Sequence, residues 1–207
     1  MTITVHHLEN SRSQRVLWLL EELGLPYEVK RYERNKATML APPELKSVHP
    51  LGKSPVIEDD GQVVAETGAI VEYLVEKAGK LGAPADTANA LRYRFWLHYA
   101  EGSLMPPLLV KLVLTRVPIF GKMAMKRIQP MIDVHLDYIE SELAQRPWFA
   151  GDTMTAADVM MSFPLEAARS RAGLDNSRPA TIAWLGKVHS LPAYQRALKA
   201  GGPYAYA

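Results

Sequence analysis

The 207-residue chain contains no cysteine. That absence excludes disulfides, thiolate metal sites, CxxC redox chemistry and a cysteine nucleophile. If the protein performs thiol chemistry, the sulfur must arrive with a substrate. Long hydrophobic runs are missing as well, none approaching the roughly 18 apolar residues of a membrane span. The opening stretch MTITVHHLENSRSQR has no uninterrupted apolar segment or small-residue cleavage site of the secretory type. A cytoplasmic protein with no membrane partner is the expectation. An excess of either charge is lacking too: 24 Lys and Arg face 22 Asp and Glu, a net +2. That balance gives no reason to expect a nucleic-acid partner. The one basic cluster, Lys111, Arg116, Lys122, Lys126 and Arg127, lies among apolar residues at helical spacing and reads as a solvated helix face. No metal site is expected, because His6 and His7 alternate across a strand and the other histidines are dispersed, without HExxH spacing. No G-x-S-x-G elbow for a serine hydrolase occurs.

What the chain does contain is a change of class part-way along it. Residues 2–5 alternate β-branched types and predict a strand. Val16, Leu17, Leu20 and Leu23 recur at helical spacing, predicting an amphipathic helix over about 13–23, stopped by Gly24 and Pro26. Residues 27–32 alternate again, completing a βαβ unit. A short helix opening at Pro42-Pro43-Glu44 is expected in the irregular stretch that follows. Asp59-Asp60-Gly61 between two apolar runs predicts a hairpin, and a helix follows over 67–78. Residues 80–85 read as a linker. Beyond them only helical patterns appear, with kinks or breaks expected at Pro106-Pro107 and Pro130. Thr155 to Asp158 has the S/T-x-x-acid form of a capping box. The architecture predicted is β-α-β then β-β-α in residues 1–79, and an all-helical domain over 86–207.

Three segments carry a resemblance. They are Asn10-Ser11-Arg12-Ser13-Gln14-Arg15 with the helix after it, then His49 to Val56 followed by Ala65-Glu66-Thr67-Gly68, and Pro147 to Asp152 ahead of Thr155-Ala-Ala-Asp158. In this order and spacing they resemble the cytosolic glutathione transferase family, of the serine-type, bacterial or fungal kind. The resemblance implies a thioredoxin-like first domain and a helical second one. It also implies glutathione as co-substrate with no tightly bound cofactor, a small electrophile as the other partner, and a homodimer.

Glutathione's thiol is a weak nucleophile while protonated, since free thiols titrate near ~8.5. A donor hydroxyl at the sulfur and a helix N-terminus both favour the thiolate. Ser11, between the first strand and helix and four residues before Arg15, matches the family's thiolate stabiliser. Asn10 and Ser13 remain rivals for that role, and Arg12 adds a positive charge nearby. By the same resemblance Lys53 would meet the glycyl end, Ser54 would offer backbone groups ahead of a cis Pro55, and Glu66 and Thr67 would hold the γ-glutamyl group. Met105, Leu108, Leu109 and Leu112, with Val113, are candidates for an apolar second-substrate pocket or for ordinary core. The reaction expected is conjugation of the thiolate to small apolar electrophiles. A non-catalytic carrier or interaction module of the same fold, and other glutathione-dependent reactions such as peroxide reduction, dehalogenation or ether cleavage, stay open.

Overall fold

The computed structural model describes residues 2–117 and 119–207. Packing divides them into two units, one of Met1–Gly82, His189–Ala205 and Ala207, the other of Ala83–Val188 with Tyr206.

In the first unit the strands β1 (Ile3–Leu8), β2 (Tyr27–Tyr32), β3 (Val56–Asp59) and β4 (Gln62–Ala65) form a sheet in the order β2-β1-β3-β4. β1 and β2 are parallel, whereas β3 runs antiparallel to both β1 and β4. The expected hairpin is present, and Asp60 and Gly61 both take positive φ, 50° and 77°, the pair of left-handed residues a two-residue type I′ turn requires. The helices are α1 (Ser13–Leu23), a short α2 (Leu45–Val48), and α3 (Thr67–Ala78). Gly24 ends α1 at φ 70°, its N–H returning to the Leu20 carbonyl, a conformation glycine adopts without steric cost. β1 extends three residues beyond the expected strand, so that both histidines lie within the sheet.

The first helix departs from the amphipathic expectation. Every residue from Ser13 to Leu20 is buried, with Leu23. The reason is the last helix, α9 (Pro192–Gly201), which packs along α1. Trp18 meets Tyr194 edge-on at 5.5 Å between ring centroids, and Arg196 Nε donates to Glu21 Oε2 at 2.6 Å. The sequence reading places this final helix in the helical half; its packing puts it in the first unit.

The second unit is helical. Its α4 (Thr87–Tyr99) runs through a π-helical turn (Ala100–Leu104) into α5 (Met105–Leu114), followed by α6 (Phe120–Leu143), α7 (Ala156–Arg171) and most of α8 (Pro179–Ser190). Pro106 and Pro107 sit in the first turn of α5, where a missing N–H costs little. Neither Pro130 nor Pro164 breaks its helix. Pro130 is exposed, so the carbonyl it leaves unpaired can be hydrated. Trp96, Leu104, Leu108, Leu136, Val159 and Leu185 are among the side chains of the buried core. The capping box is formed: Thr155 N–H and hydroxyl donate to Asp158 Oδ2 at 2.9 and 3.3 Å, and Phe149 N–H donates to Oδ1 at 3.0 Å. Burial raises the Asp158 carboxyl to about 6 against the pull of those donors.

Candidate active site

The sheet register brings three chain segments to one end. His6 pairs with Val56, and Val56 pairs with Ala65. The end of β1, the start of β3 and the end of β4 are therefore adjacent, and the residues flanking those positions are Leu8 to Ser13, Ser54-Pro55 and Glu66-Thr67. The Ser54–Pro55 peptide is cis, as the resemblance implies.

One residue, Leu8, ties two of these segments together. Leu8 N–H donates to Ser54 Oγ at 3.2 Å, while the Leu8 carbonyl lies 3.2 Å from Ser13 Oγ, a second acceptor for that hydroxyl beside His7. Ser54 Oγ in turn donates to the His6 carbonyl at 2.8 Å. A serine here thus supplies the strand's backbone with hydrogen-bond partners that a branched aliphatic residue would lack.

Ser11 and Ser13 lie within 2.7 Å of one another through their hydroxyl oxygens. Ser11 Oγ also accepts the Ser13 backbone N–H at 3.2 Å, satisfying one of the donors that a helix start leaves open. Ser13 Oγ stands 2.9 Å from His7 Nδ1. The burial of His7 and the nearby Arg31 guanidinium hold its imidazole down at about 4, while the Gly201 carbonyl accepts from the ring. The neutral ring with Nε2–H on Gly201 leaves Nδ1 as an acceptor, so the Ser13 proton is drawn inward. Ser13 is fully buried, whereas Ser11 keeps 6% exposure.

The other sequence candidates separate by their partners. Asn10 adopts φ 48°, a left-handed conformation asparagine tolerates, and its Oδ1 accepts the Ala205 N–H at 2.8 Å. Arg12 is half-buried at the N-cap of α1, and Lys53 is exposed. Glu66 is exposed and held at φ 74°, ψ 122° as the N-cap of α3, with no side-chain cap on that helix. Thr67 is buried in its first turn. The α3 terminus therefore offers open backbone donors and positive potential, a setting suited to a carboxylate.

The residues considered for an apolar pocket divide between core and surface. Met105 and Leu108 are buried core side chains, while Leu109 is 51% exposed, Val113 is 55% exposed and Leu112 is half-buried. The 3.6-residue period explains the split, since 105 and 108 face inward with Leu104 and 109, 112 and 113 turn outward. Near the end of the chain Tyr206 is anchored: its hydroxyl accepts from Arg171 at 3.0 Å and its ring meets Phe163.

Sequence reasoning missed His7 and the tail residues Gly201 and Ala205. An alternating strand does place His7 opposite His6, but contact with residues nearly two hundred positions away leaves no local signal.

Comparison with known proteins agrees across both units. The glutathione S-transferase N-terminal domain family matches residues 1–76, and the C-terminal domain family matches 104–192. The chain is 41% identical to glutathione S-transferase 3 of Schizosaccharomyces pombe over 81% of this chain and 74% of that one. It superposes on the crystal structure of a glutathione S-transferase from Actinobacillus pleuropneumoniae with a TM-score of 0.87 and 32% identity, covering 99% of this chain and 95% of the other. A glutathione transferase family member from Pseudomonas fluorescens, solved with two glutathione bound, superposes at a TM-score of 0.80 with 28% identity, over 95% and 92% of the two chains.

Proposed function

This chain belongs to the glutathione S-transferase family, and from that premise we propose that it transfers the thiolate of bound glutathione to small apolar electrophiles. Ser11 is the thiolate stabiliser in this reading. The observation that carries it is the contrast with its rivals: Ser11 retains 6% exposure where Ser13 has none, and its one polar side-chain neighbour among the described residues, Ser13, has its own proton drawn inward. Asn10 has its side-chain oxygen engaged by the tail, and Ser13 is enclosed. When the sulfur is seated, the Ser11 proton turns from a neutral oxygen to a charged acceptor, a bond of the stronger class. The first turn of α1 adds its positive potential.

The rest of the tripeptide is assigned on chemistry. The α3 terminus takes the γ-glutamyl carboxylate through the Thr67 hydroxyl and backbone, and Glu66 pairs with the α-ammonium. Lys53 suits the glycyl carboxylate, and the backbone of Ser54 ahead of Pro55 meets the cysteinyl unit. Arg12 adds positive charge by the helix start. The outward face of α5, Leu109, Leu112 and Val113, suits the apolar co-substrate. A cytoplasmic, detoxifying homodimer completes the reading. Its interface would use Leu91 and Phe95 on α4 with Met131, Val134 and Tyr138 on α6, apolar side chains left 38–68% exposed at helical spacing. Sedimentation of the protein as a monomer at micromolar concentration would count against the homodimer.

The central test is a pH titration of the ultraviolet thiolate absorbance of glutathione bound to wild type and to Ser11→Ala. A hydrogen bond to a charged group contributes about 1.5–3 kcal/mol, so the variant should raise the bound thiol's pKa by about one to two units. An unshifted thiol in the wild type would favour a carrier, and absence of binding would overturn the glutathione reading itself.

A further inference from the structure

We propose that the tip where α5 gives way to α6 is a peripheral docking surface for an anionic lipid bilayer. The sequence from residue 102 to residue 132 contains no Asp or Glu, yet it holds Lys111, Arg116, Lys122, Lys126 and Arg127. In a chain whose charges otherwise nearly cancel, this is a concentrated positive patch. The structure adds what sequence spacing concealed. Ile119 and Phe120 are 73% and 76% exposed, higher than any other large hydrophobic side chain among the described residues, and Met123 is exposed at 67%.

The cations are not buried counter-charges for a neighbouring element. Arg116, Lys122, Lys126 and Arg127 are all exposed, and only Lys111 is turned inward, donating to Gln129. On α6, Phe120, Met123 and Arg127 follow one another at three- and four-residue steps, with Lys122 and Lys126 on the adjoining stripe. Apolar tips collared by Lys and Arg match a membrane–water interface, where the apolar side chains enter the acyl boundary and the cations meet lipid phosphates. The expectation of no membrane partner came from the missing spanning segment; no helix among the described residues is long and apolar enough to cross, but lying on a bilayer needs no such helix.

Charge complementarity alone would equally suit a nucleic acid. The apolar contribution decides between them, because the exposed side chains beside the cations are chiefly aliphatic. Ile119 and Met123 gain by entering hydrocarbon, whereas single strands are held by stacking on aromatic rings. The patch forms the N-terminal end of the α6 face whose later turns, at Met131, Val134 and Tyr138, are assigned to the homodimer, and it does not depend on the glutathione reading.

The test is cosedimentation of the full chain with vesicles of phosphatidylcholine alone and of phosphatidylcholine with phosphatidylglycerol, at low and high salt. Binding is expected on the anionic vesicles only, weakened by salt. Ile119→Ser/Phe120→Ser and Lys122→Glu/Lys126→Glu should each weaken it by about tenfold or more. Both pairs change exposed side chains, so thermal unfolding should be unaltered, and Ser11→Ala should bind vesicles as the wild type does. Failure to bind anionic vesicles would overturn the proposal. So would equal binding to neutral vesicles, undiminished binding by the Ile119/Phe120 variant, or preferential binding of duplex DNA or transfer RNA insensitive to that variant.

Discussion

Ser11 and Ser13 share a 2.7 Å contact between hydroxyl oxygens, yet only Ser11 retains any exposure, 6% against none. The relationship divides their work. Ser13 turns its one proton to the interior, to His7 or to the Leu8 carbonyl, and its lone pair can accept the Ser11 proton. Ser11 keeps a donor that a thiolate can claim.

The backbone at Glu66 stores strain. A non-glycine residue at φ 74° costs on the order of 1–3 kcal/mol, and the position directly precedes the open terminus of α3. Glu66→Gly should therefore raise stability by about 1 kcal/mol while weakening glutathione binding about fivefold or more through loss of the ammonium's partner. Chemical denaturation and glutathione titration of the same preparation check both halves. A variant less stable than wild type would remove the strain argument.

Acid should destabilise the fold through His7. Its folded value of about 4 lies below the ordinary 6.5. As pH falls through 6.5 the unfolded chain takes a proton that the folded one refuses, so the contribution is whole above 6.5 and is lost progressively down to 4, about 3 kcal/mol in all. Asp158, raised to about 6, acts with the opposite sign between 6 and its ordinary 3.8. The comparison must therefore be a difference: the stability gap between wild type and His7→Asn should narrow by about 3 kcal/mol from pH 7 to pH 4. A gap independent of pH would show that the ring is not held neutral by its surroundings.

The capping box should matter to stability and not to the thiol. Thr155→Ala removes one side-chain cap and should cost about 1 kcal/mol. Asp158→Ala strands the buried N–H groups of Phe149 and Thr155 and should cost about 2–4 kcal/mol. Urea unfolding measures both. Neither variant should move the bound thiol's pKa, and a shift comparable to that of Ser11→Ala would mean that the cap communicates with the sulfur site.

Local chemistry made much of the fold legible in advance. Gly24 and Pro26 fixed the end of α1, Asp60-Gly61 fixed the hairpin, and Thr155 with Asp158 announced α7, because each is a constraint within a few residues. The prolines were less decisive: Pro106-Pro107 follow a π-helical turn and open α5, while α6 continues through Pro130. A proline in sequence signals a break, but whether the freed carbonyl can be hydrated depends on exposure, and α6 passes through Pro130 on its wet side. Met105 and Leu108 could not be told from Leu109 and Leu112 by composition, since only the neighbours of α5 decide which side of that helix is core. At the candidate site, Ser11, Glu66 and Thr67 were singled out by the family resemblance, and each stands at or just before a helix start next to a strand end. His7 escaped, as did the engagement of Asn10 by Ala205, because those contacts join the first residues of the chain to its final helix and tail.

That long-range closure bears on the order in which the protein assembles during synthesis. The helical unit, apart from Tyr206, is the single stretch 83–188 and can gather its core as it leaves the ribosome. The sheet unit cannot. Trp18 and the outer side of α1 must wait, apolar and uncovered, while everything between Leu23 and Pro192 is translated. Contacts of such sequence separation form slowly, and exposed apolar surface in the interval is what chaperones bind. The first-made half of the molecule is thus the last to be finished.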